Sequence, residues 1–228
     1  MEESFSPRKL AVIIVEIILV IMLALTAVAL VQLYWIAPIG ISGPSMEDTL
    51  YSGDTVYINK AYKTLSRGDV VVVYLPSDYV NYAIDWGRYT GDNDDTERCP
   101  ASRAKTFDDF FAAMPFFGKT EAHDDGTTGS VTVEDDYKMI IKRIVAVPGD
   151  RVQIVEGVLY VNGAPESKSG LYNFPIDYDH TMGEGEYYIL GDNRRISRDS
   201  SEYGPIRAGW IYGKVIAAHT QGSFKTKL

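Results

Sequence analysis

The chain opens with one long and almost uninterrupted apolar run. It extends from Leu10 to Ile36 and is broken only by Glu16 and Gln32. About 20 helical residues are enough to cross the roughly 30 Å hydrocarbon core of a bilayer. The pattern therefore predicts that segment 1–36 forms a short cytoplasmic tip and a transmembrane anchor.

The charges around this run predict its orientation. Arg8 and Lys9 precede it, and no further Lys or Arg occurs until Lys60. Because positive charges concentrate on the cytoplasmic side, we expect a single-pass protein of the cell membrane with its N-terminus inside and the rest outside. The small-x-small triplet at 27–29 leaves a second interpretation open, a signal peptide that is removed. We favour a retained anchor because the apolar run continues beyond the triplet.

After the anchor the pattern changes to short segments rich in Val, Ile and Tyr with Gly-Asp or Asn-Gly turns between them. These features are typical of strands and hairpins. We predict an all-β fold, in which residues 37–76 and 138–228 form antiparallel sheets of a barrel-like core. The predicted strand segments are DTVYIN at 54–59, DVVVVYLP at 69–76, KMIIKRIVAVPGD at 138–150, RVQIVEGVLYVNG at 151–163, EYYILGDN at 186–193 and WIYGKVIAAHT at 210–220.

Segment 77–137 differs in character and is predicted to be an inserted subdomain. It carries fourteen acidic and five basic residues, so its net charge of −9 equals that of the whole chain. We interpret its aromatic cluster at 107–118 as a small core, with contact to a membrane surface or a substrate as the alternative. The acidic balance argues against a nucleic-acid partner. The single Cys99 excludes an internal disulfide and a four-cysteine zinc site.

Ser45 is a candidate nucleophile, placed about nine residues after the apolar run in a Gly-Pro-Ser-Met sequence. A serine nucleophile needs a base, and histidine is the usual one. None of the three histidines suggests a triad. His123 lies in the acidic segment, His180 in a predicted loop, and His219 in an apolar run.

Lysine is the alternative base, as in Ser-Lys proteases. Lys142 and Arg143 lie in an apolar strand pattern, and strand alternation points their side chains to opposite faces. One of them must therefore face the buried side, where the charged form of an amine is disfavoured. A second interpretation, in which Lys142 extends to the surface, stays open from the pattern alone.

Four short sequence blocks follow the predicted anchor in a fixed order. They are Gly43-Pro44-Ser45-Met46 with Thr49-Leu50, Arg67-Gly68-Asp69-Val70-Val71-Val72, Lys142-Arg143 with Pro148-Gly149-Asp150, and Gly191-Asp192-Asn193-Arg194 with Ser197, Asp199-Ser200 and Tyr203-Gly204. Together with the anchor they resemble the bacterial type I signal peptidases, membrane-anchored serine endopeptidases that remove signal peptides from exported proteins. The resemblance covers the chain outside the segment 77–137.

The resemblance implies an all-β catalytic core with a second, variable β-region, and an enzyme without metal or cofactor. It implies Ser45 as the nucleophile and Lys142 as the general base. Ser197 is expected to hydrogen-bond the lysine amine and Asp199 to brace the local structure. Because Gly43 stands where some members carry an oxyanion-hole serine, the Ser45 backbone N–H must contribute there. The supporting residues implied in this way are Gly43, Met46, Arg143, Asp192, Ser197 and Asp199.

Two positions depart from the family pattern. Asp48 stands where a proline usually precedes Thr-Leu, which is expected to change the turn after the nucleophile. Ser201 stands where an arginine usually pairs with the aspartate at Asp199. Arg195 and Arg198 are candidates to replace that arginine, and the sequence leaves the choice open.

The function that the resemblance implies is cleavage of preproteins after small-x-small sites at the membrane surface. We expect the substrate to extend along an exposed strand edge. We expect a monomer whose partners are preproteins and the lipid bilayer, with no nucleic acid and no metal. The alternative is a specialised or non-catalytic signal-peptidase-like factor for a narrow client, such as one in pilus assembly. A self-cleaving repressor-type protease is disfavoured because the chain has an anchor and no DNA-binding segment.

Overall fold

The computed structural model describes residues 7–76, 120–123, 137–168 and 177–228. Helix α1 spans Pro7–Tyr34. Its part Pro7–Gln32 is long and apolar enough to cross a membrane; its most apolar stretch has a mean hydropathy of 3.0 and is not buried by the rest of the protein. The helix ends directly before the first strand, which begins at Ile36. Its orientation in a membrane stays a prediction.

The remaining described residues are mostly β-strands, which confirms the predicted all-β class. One short helix, α2, spans Ser200–Tyr203, and a 3-10 turn spans Ala208–Trp210. The strands are β1 Ile36–Ser42, β2 Thr55–Asn59, β3 Val70–Pro76, β4 Thr120–His123, β5 Tyr137–Ala146, β6 Arg151–Val155, β7 Val158–Val161, β8 Ala164–Pro165, β9 Tyr178–Thr181, β10 Glu186–Leu190, β11 Ile206–Arg207, β12 Ile211–Thr220 and β13 Ser223–Lys225.

The strands form a large sheet and a small one. The large sheet has the order β11-β10-β5-β3-β12-β2-β1-β4, with β13 paired to β12. The small sheet has the order β8-β7-β6-β9. Pairing is antiparallel except between β1 and β4, which run parallel. Over the described ranges the large sheet is an open, barrel-like sheet whose end strands are β11 and β4.

Strands β3 and β5 lie at the centre of the large sheet and are buried on both faces. Successive residues of β3 contribute to two different core clusters, Val70 and Val72 to one and Val71 and Val73 to the other. A strand buried on both faces needs apolar residues at consecutive positions. This explains the uninterrupted valine run of β3, and it means that any polar side chain on β5 lies close to a core.

The small sheet is built from tight hairpins. Glu156 and Gly157, between β6 and β7, have φ values of 50° and 77°, and Asn162 and Gly163, between β7 and β8, have 53° and 78°. Two central residues with positive φ match the twist of a two-residue hairpin loop. The turn predicted at Asn162-Gly163 is therefore confirmed.

Most of the segment 77–137 lies outside the described residues, including the aromatic cluster at 107–118. Its strand β4 pairs with β1, from Ile39 opposite Thr120 to Ser42 opposite His123. The division of the chain into a core and an inserted subdomain stays a prediction.

Candidate active site

The structure brings Ser45 and Lys142 into direct contact. Lys142 Nζ lies 2.8 Å from Ser45 Oγ, within hydrogen-bond distance, although the residues are 97 positions apart. Ser45 is 1% exposed and Lys142 is fully buried. The amine and the hydroxyl are therefore both shielded from bulk water.

The doubly buried strand β5 explains the position of the amine. Lys142 is paired with Val71 of β3, and its neighbours two residues away, Ile140 and Ile144, belong to one core cluster. Side chains two residues apart share a strand face, so Lys142 points the same way as these isoleucines. Arg143 points to the other face and reaches a different set of partners. The interpretation in which Lys142 extends to the surface is wrong, because its side chain is buried.

A short turn after β1 holds the hydroxyl. Gly43 has a φ of 97°, a region that glycine adopts without strain. Met46 and Leu50 are buried in the same core cluster, and the N–H of Leu50 donates to the carbonyl of Met46 over 2.8 Å. The two apolar side chains thus anchor the turn on either side of its exposed part.

The unusual residue in this turn has an unusual conformation. Asp48 has a φ of 85° and an exposed side chain. Proline is restricted to a φ near −65°, so it is excluded from this conformation. The structure therefore agrees with the expectation that Asp48 changes the turn, and aspartate is among the few non-glycine residues that tolerate positive φ.

An ion pair between Arg143 and the buried carboxylate of Asp192 links the turn to β5. Arg143 donates from Nε to Asp192 Oδ1 over 2.7 Å and from Nη2 to Oδ2 over 2.6 Å, and Thr49 Oγ1 donates to Oδ2 over 2.6 Å. Burial alone would raise the pKa of Asp192, but the hydrogen bonds from Arg143 and Thr49 and the charge of Arg143 outweigh it and leave that pKa below its ordinary value. The hydrogen bond to Asp192 in turn raises the pKa of Arg143. Asp192 thus ties the residue next to Lys142 to the turn that carries Ser45.

The segment after β10 also holds the main chain of Ser45. The N–H of Asn193 donates to the Ser45 carbonyl over 2.8 Å. A Cβ placed on Gly191 would lie 2.7 Å from that same carbonyl and 2.2 Å from Ser197 Oγ. Only glycine fits such a close approach, because a methyl group there would overlap both atoms.

The hydrogen bond predicted from Ser197 to the Lys142 amine is not formed. Ser197 Oγ is buried and has no hydrogen-bond partner within the described part of the chain. It lies instead against the Cα of Gly191, as the short distance to a Cβ built there shows. The hydrogen bond between Ser197 and Lys142 that the resemblance implied is therefore wrong for the described residues.

Asp199 is braced by Ser201, the residue that stands in place of the expected arginine. Its carboxylate accepts from the N–H of Gly191 over 2.9 Å, from Ser201 Oγ over 2.8 Å and from the Ser201 N–H over 3.1 Å. Arg198 instead pairs with Glu202, and Arg195 is exposed. Ser201 was not among the predicted site residues, although the sequence carries a helix N-cap signal at Asp199. An aspartate directly before a short helix accepts from the N–H two residues on, as Asp199 does here.

The histidines lie in other surroundings. His180 belongs to β9 rather than to a loop, and its Nε2 lies 2.8 Å from Glu186 Oε2. His219 is exposed on β12, and His123 belongs to β4. Among the described residues no group of three or more His, Cys, Asp or Glu is arranged to hold a metal ion.

The edge of β1 nearest to Ser45 is not exposed. One edge of β1 pairs with β2 and the other pairs with β4 along residues 39–42. Strand β1 ends at Ser42, only three residues before Ser45. The sequence-based expectation of an exposed strand edge names no strand and stays a prediction; along residues 39–42 β1 has no free edge, because β4 already supplies the neighbouring strand.

Comparison with known proteins gives consistent matches. The model of the family described as signal peptidase, peptidase S26, matches residues 14–219. The signal peptidase IB of Staphylococcus aureus (strain COL) is 27% identical over 225 aligned residues, which cover 89% of this chain and 87% of that protein. The probable thylakoidal processing peptidase 2 of Arabidopsis thaliana chloroplasts is 37% identical over 92 residues, or 38% of this chain and 25% of that protein. A crystal structure of a signal peptidase I from Enterococcus faecalis aligns with a TM-score of 0.34 and 20% identity, covering 68% of this chain and 98% of that one.

Proposed function

Because the chain belongs to the signal peptidase family of peptidase S26, we propose that it is a serine endopeptidase with a Ser45–Lys142 dyad. Its substrates are exported preproteins, cleaved after small-x-small sites at the membrane surface. The observation that carries the proposal is the buried approach of Lys142 Nζ to Ser45 Oγ at 2.8 Å. A nucleophile and a base within hydrogen-bond reach are the minimum for covalent acyl transfer.

The chemistry follows from this pair. A neutral Lys142 amine takes the proton of Ser45 Oγ as the oxygen attacks the scissile carbonyl carbon. The resulting ammonium then protonates the leaving amine nitrogen, the C–N bond breaks, and an ester joins the signal peptide to Ser45. Water, deprotonated by the same amine, hydrolyses that ester and restores both groups. The Ser45 N–H is a candidate donor to the oxyanion, whereas Pro44 has no N–H to offer.

The supporting residues act on the geometry of the dyad. Arg143 is the neighbour of the base, Thr49 lies in the turn of the nucleophile, and both donate to the same buried carboxylate of Asp192. We infer that this contact keeps the two halves of the dyad in register. Gly43 and Met46 shape and anchor the turn in which Ser45 lies.

The substrate pairs with the strand edge that leads to the nucleophile. A peptide that adds to β1 gains main-chain hydrogen bonds and arrives at Ser45 when it reaches the end of the strand. Since β4 holds this edge over residues 39–42, the substrate competes with β4 for the same hydrogen-bonding groups.

The test is cleavage of a signal-peptide-bearing preprotein by the detergent-solubilised full chain, beside Ser45→Ala and Lys142→Met. We expect each change to lower the rate by roughly 1,000-fold or more, because a catalytic unit fails when either member is lost. Methionine keeps most of the apolar length of lysine and removes only the amine. The matched controls are Ser52→Ala and Lys63→Met, since both positions are exposed.

Two outcomes contradict the proposal in different ways. Cleavage by Lys142→Met at close to the wild-type rate would show that the base lies elsewhere. A folded wild-type chain that cleaves no preprotein would instead favour the factor with a narrow client. Circular dichroism on every variant separates loss of chemistry from loss of fold.

A further inference from the structure

The carboxylate of Asp199 is buried and satisfied without an arginine partner. It is 2% exposed, and both oxygens accept hydrogen bonds, Oδ1 from the N–H and hydroxyl of Ser201 and Oδ2 from the N–H of Gly191. Burying a carboxylate is costly unless hydrogen bonds replace its hydration. Two neighbouring arginines bind other carboxylates: Arg194 donates to Glu166 over 2.5 Å, and Arg198 donates to Glu202 over 3.0 Å.

Asp199 holds the main chain of Gly191, which packs against Ser45. Its Oδ2 holds the N–H of Gly191, while Arg194 Nε donates to the Gly191 carbonyl over 3.0 Å. Gly191 is thus held through both its N–H and its carbonyl. Its Cα packs so closely on the Ser45 carbonyl that a Cβ would lie 2.7 Å from that oxygen. A shift of Gly191 is therefore transmitted directly to the main chain of Ser45.

Ser201 determines how Asp199 is oriented. Its hydroxyl donates the shorter of the two hydrogen bonds to Oδ1, and the side chain is buried, at 8% exposure. Without that hydroxyl one oxygen of a buried carboxylate keeps a single, longer hydrogen bond at 3.1 Å. The carboxylate is then free to rotate about its Cβ–Cγ bond, and Gly191 loses a fixed acceptor.

We propose that Ser201 is a positioning residue for peptide cleavage, acting through Asp199 and Gly191 on the main chain of Ser45. The inference rests on the proposed function, since it presumes Ser45 to be the nucleophile. The hydroxyl lies three contacts away from the reacting oxygen and touches no substrate. Its loss therefore lowers kcat and leaves KM near the wild-type value.

The test compares Ser201→Ala with Ser200→Ala on the full chain in detergent. Ser200 is a matched control because it is buried, lies on the same helix α2, and its hydroxyl accepts from the N–H of Ile189 rather than contacting Asp199. We expect kcat on a preprotein to fall by about 10-fold to 100-fold in Ser201→Ala, because small displacements of a catalytic group lower the rate by about this much. Ser200→Ala is expected to lose stability but to keep its kcat once folded. Ser201→Thr restores the hydroxyl and is expected to rescue kcat.

A second measurement does not depend on cleavage. Hydrogen exchange of the Gly191 amide is expected to be faster in Ser201→Ala than in the wild type and unchanged in Ser200→Ala. If the wild type cleaves nothing, the proposed function fails and Gly191 exchange alone decides whether Ser201 holds this segment. Unchanged kcat and unchanged exchange in Ser201→Ala, or equal losses of kcat in both alanine variants, would overturn the inference.

Discussion

At the residue scale, the neighbours Lys142 and Arg143 lie on opposite faces of one strand and make different contacts. Strand alternation sends the lysine to Ser45 and the arginine to Asp192. Lys142 thereby lies among apolar residues, while Arg143 and Thr49 contact the same Asp192 carboxylate and so connect the strand to the turn that carries Ser45. A shift of one residue in the register of β5 would exchange the two side chains and destroy both contacts.

The buried pair Arg143–Asp192 predicts a dependence of stability on pH. The folded-state pKa of Asp192 lies below its ordinary value, so its contribution is complete above the unfolded pKa near 4 and is lost as the pH falls through the lower folded pKa. We expect Asp192→Asn to lower the free energy of unfolding at pH 7 by about 3 kcal/mol, because it leaves Arg143 without a charged partner.

Urea unfolding of both proteins in detergent between pH 3 and 7 measures this effect, with those limits set around a carboxyl pKa of about 4. The difference between wild type and Asp192→Asn is expected to shrink below about pH 4 as the carboxylate is protonated. The matched control is Asp179→Asn, which breaks the exposed ion pair with Arg151 and is expected to change stability little. A difference that stays constant over the whole range would contradict the assignment.

The sequence predicted this site in part, and the limits have physical causes. The order of the sequence blocks identified Ser45 and Lys142 as candidates, and strand alternation predicted that either Lys142 or Arg143 faces the buried side. The partner of Asp199 was not predicted because the resemblance implied an arginine there, whereas a buried carboxylate also accepts hydrogen bonds from the hydroxyl and N–H of Ser201. The predicted hydrogen bond from Ser197 to Lys142 was wrong because the direction of the Ser197 side chain depends on its packing against Gly191.

At the element scale, the position of β3 was predictable from its sequence, whereas the position of β4 was not. The valine run of β3 predicts a strand buried on both faces, and the structure has it at the centre of the large sheet. Strand β4 has the sequence TEAH within an acidic tract and shows no alternation of apolar and polar residues. Its parallel pairing with β1 is a contact between main-chain groups far apart in the sequence, and the pattern of apolar and polar residues does not predict it.

The position of β4 predicts that it restrains access to the dyad. It pairs with the β1 edge that we assign to substrate, and Ser45 is only 1% exposed beneath the surrounding chain. Glu121→Pro and Ala122→Pro each remove one backbone N–H from β4. Since successive N–H groups of a strand point to opposite sides, one of these two groups faces β1 and the other faces away.

We expect one proline variant to raise the rate of preprotein cleavage by about fivefold, which corresponds to one ladder hydrogen bond of about 1 kcal/mol. The other variant serves as its internal control and is expected to keep the wild-type rate. Single-turnover cleavage at subsaturating substrate is the measurement. Equal rates in wild type and both variants would show that the substrate does not compete with β4.

At the scale of the whole molecule, the apolar helix α1 leads into the first strand of the large sheet with no intervening linker. Helix α1 ends at Tyr34 and β1 begins at Ile36, so the strand that leads to Ser45 starts at the end of the apolar helix. Under the proposed function, a substrate whose signal helix lies in the same bilayer would meet this strand from a restricted distance. Confinement of both partners to one membrane raises their effective concentration without any new contact.

This arrangement predicts that cleavage depends on a shared membrane. We expect the full chain and a preprotein reconstituted in the same vesicles to react at least about 100-fold faster than the same amounts in separate vesicles, in the range that tethering produces. A short soluble peptide that carries the cleavage site is the control and is expected to be cleaved equally in both preparations, since it reaches the enzyme from solution. Equal rates for the preprotein in shared and separate vesicles would show that recognition comes from the β core alone, and the apolar helix would then serve only to retain the protein at the membrane.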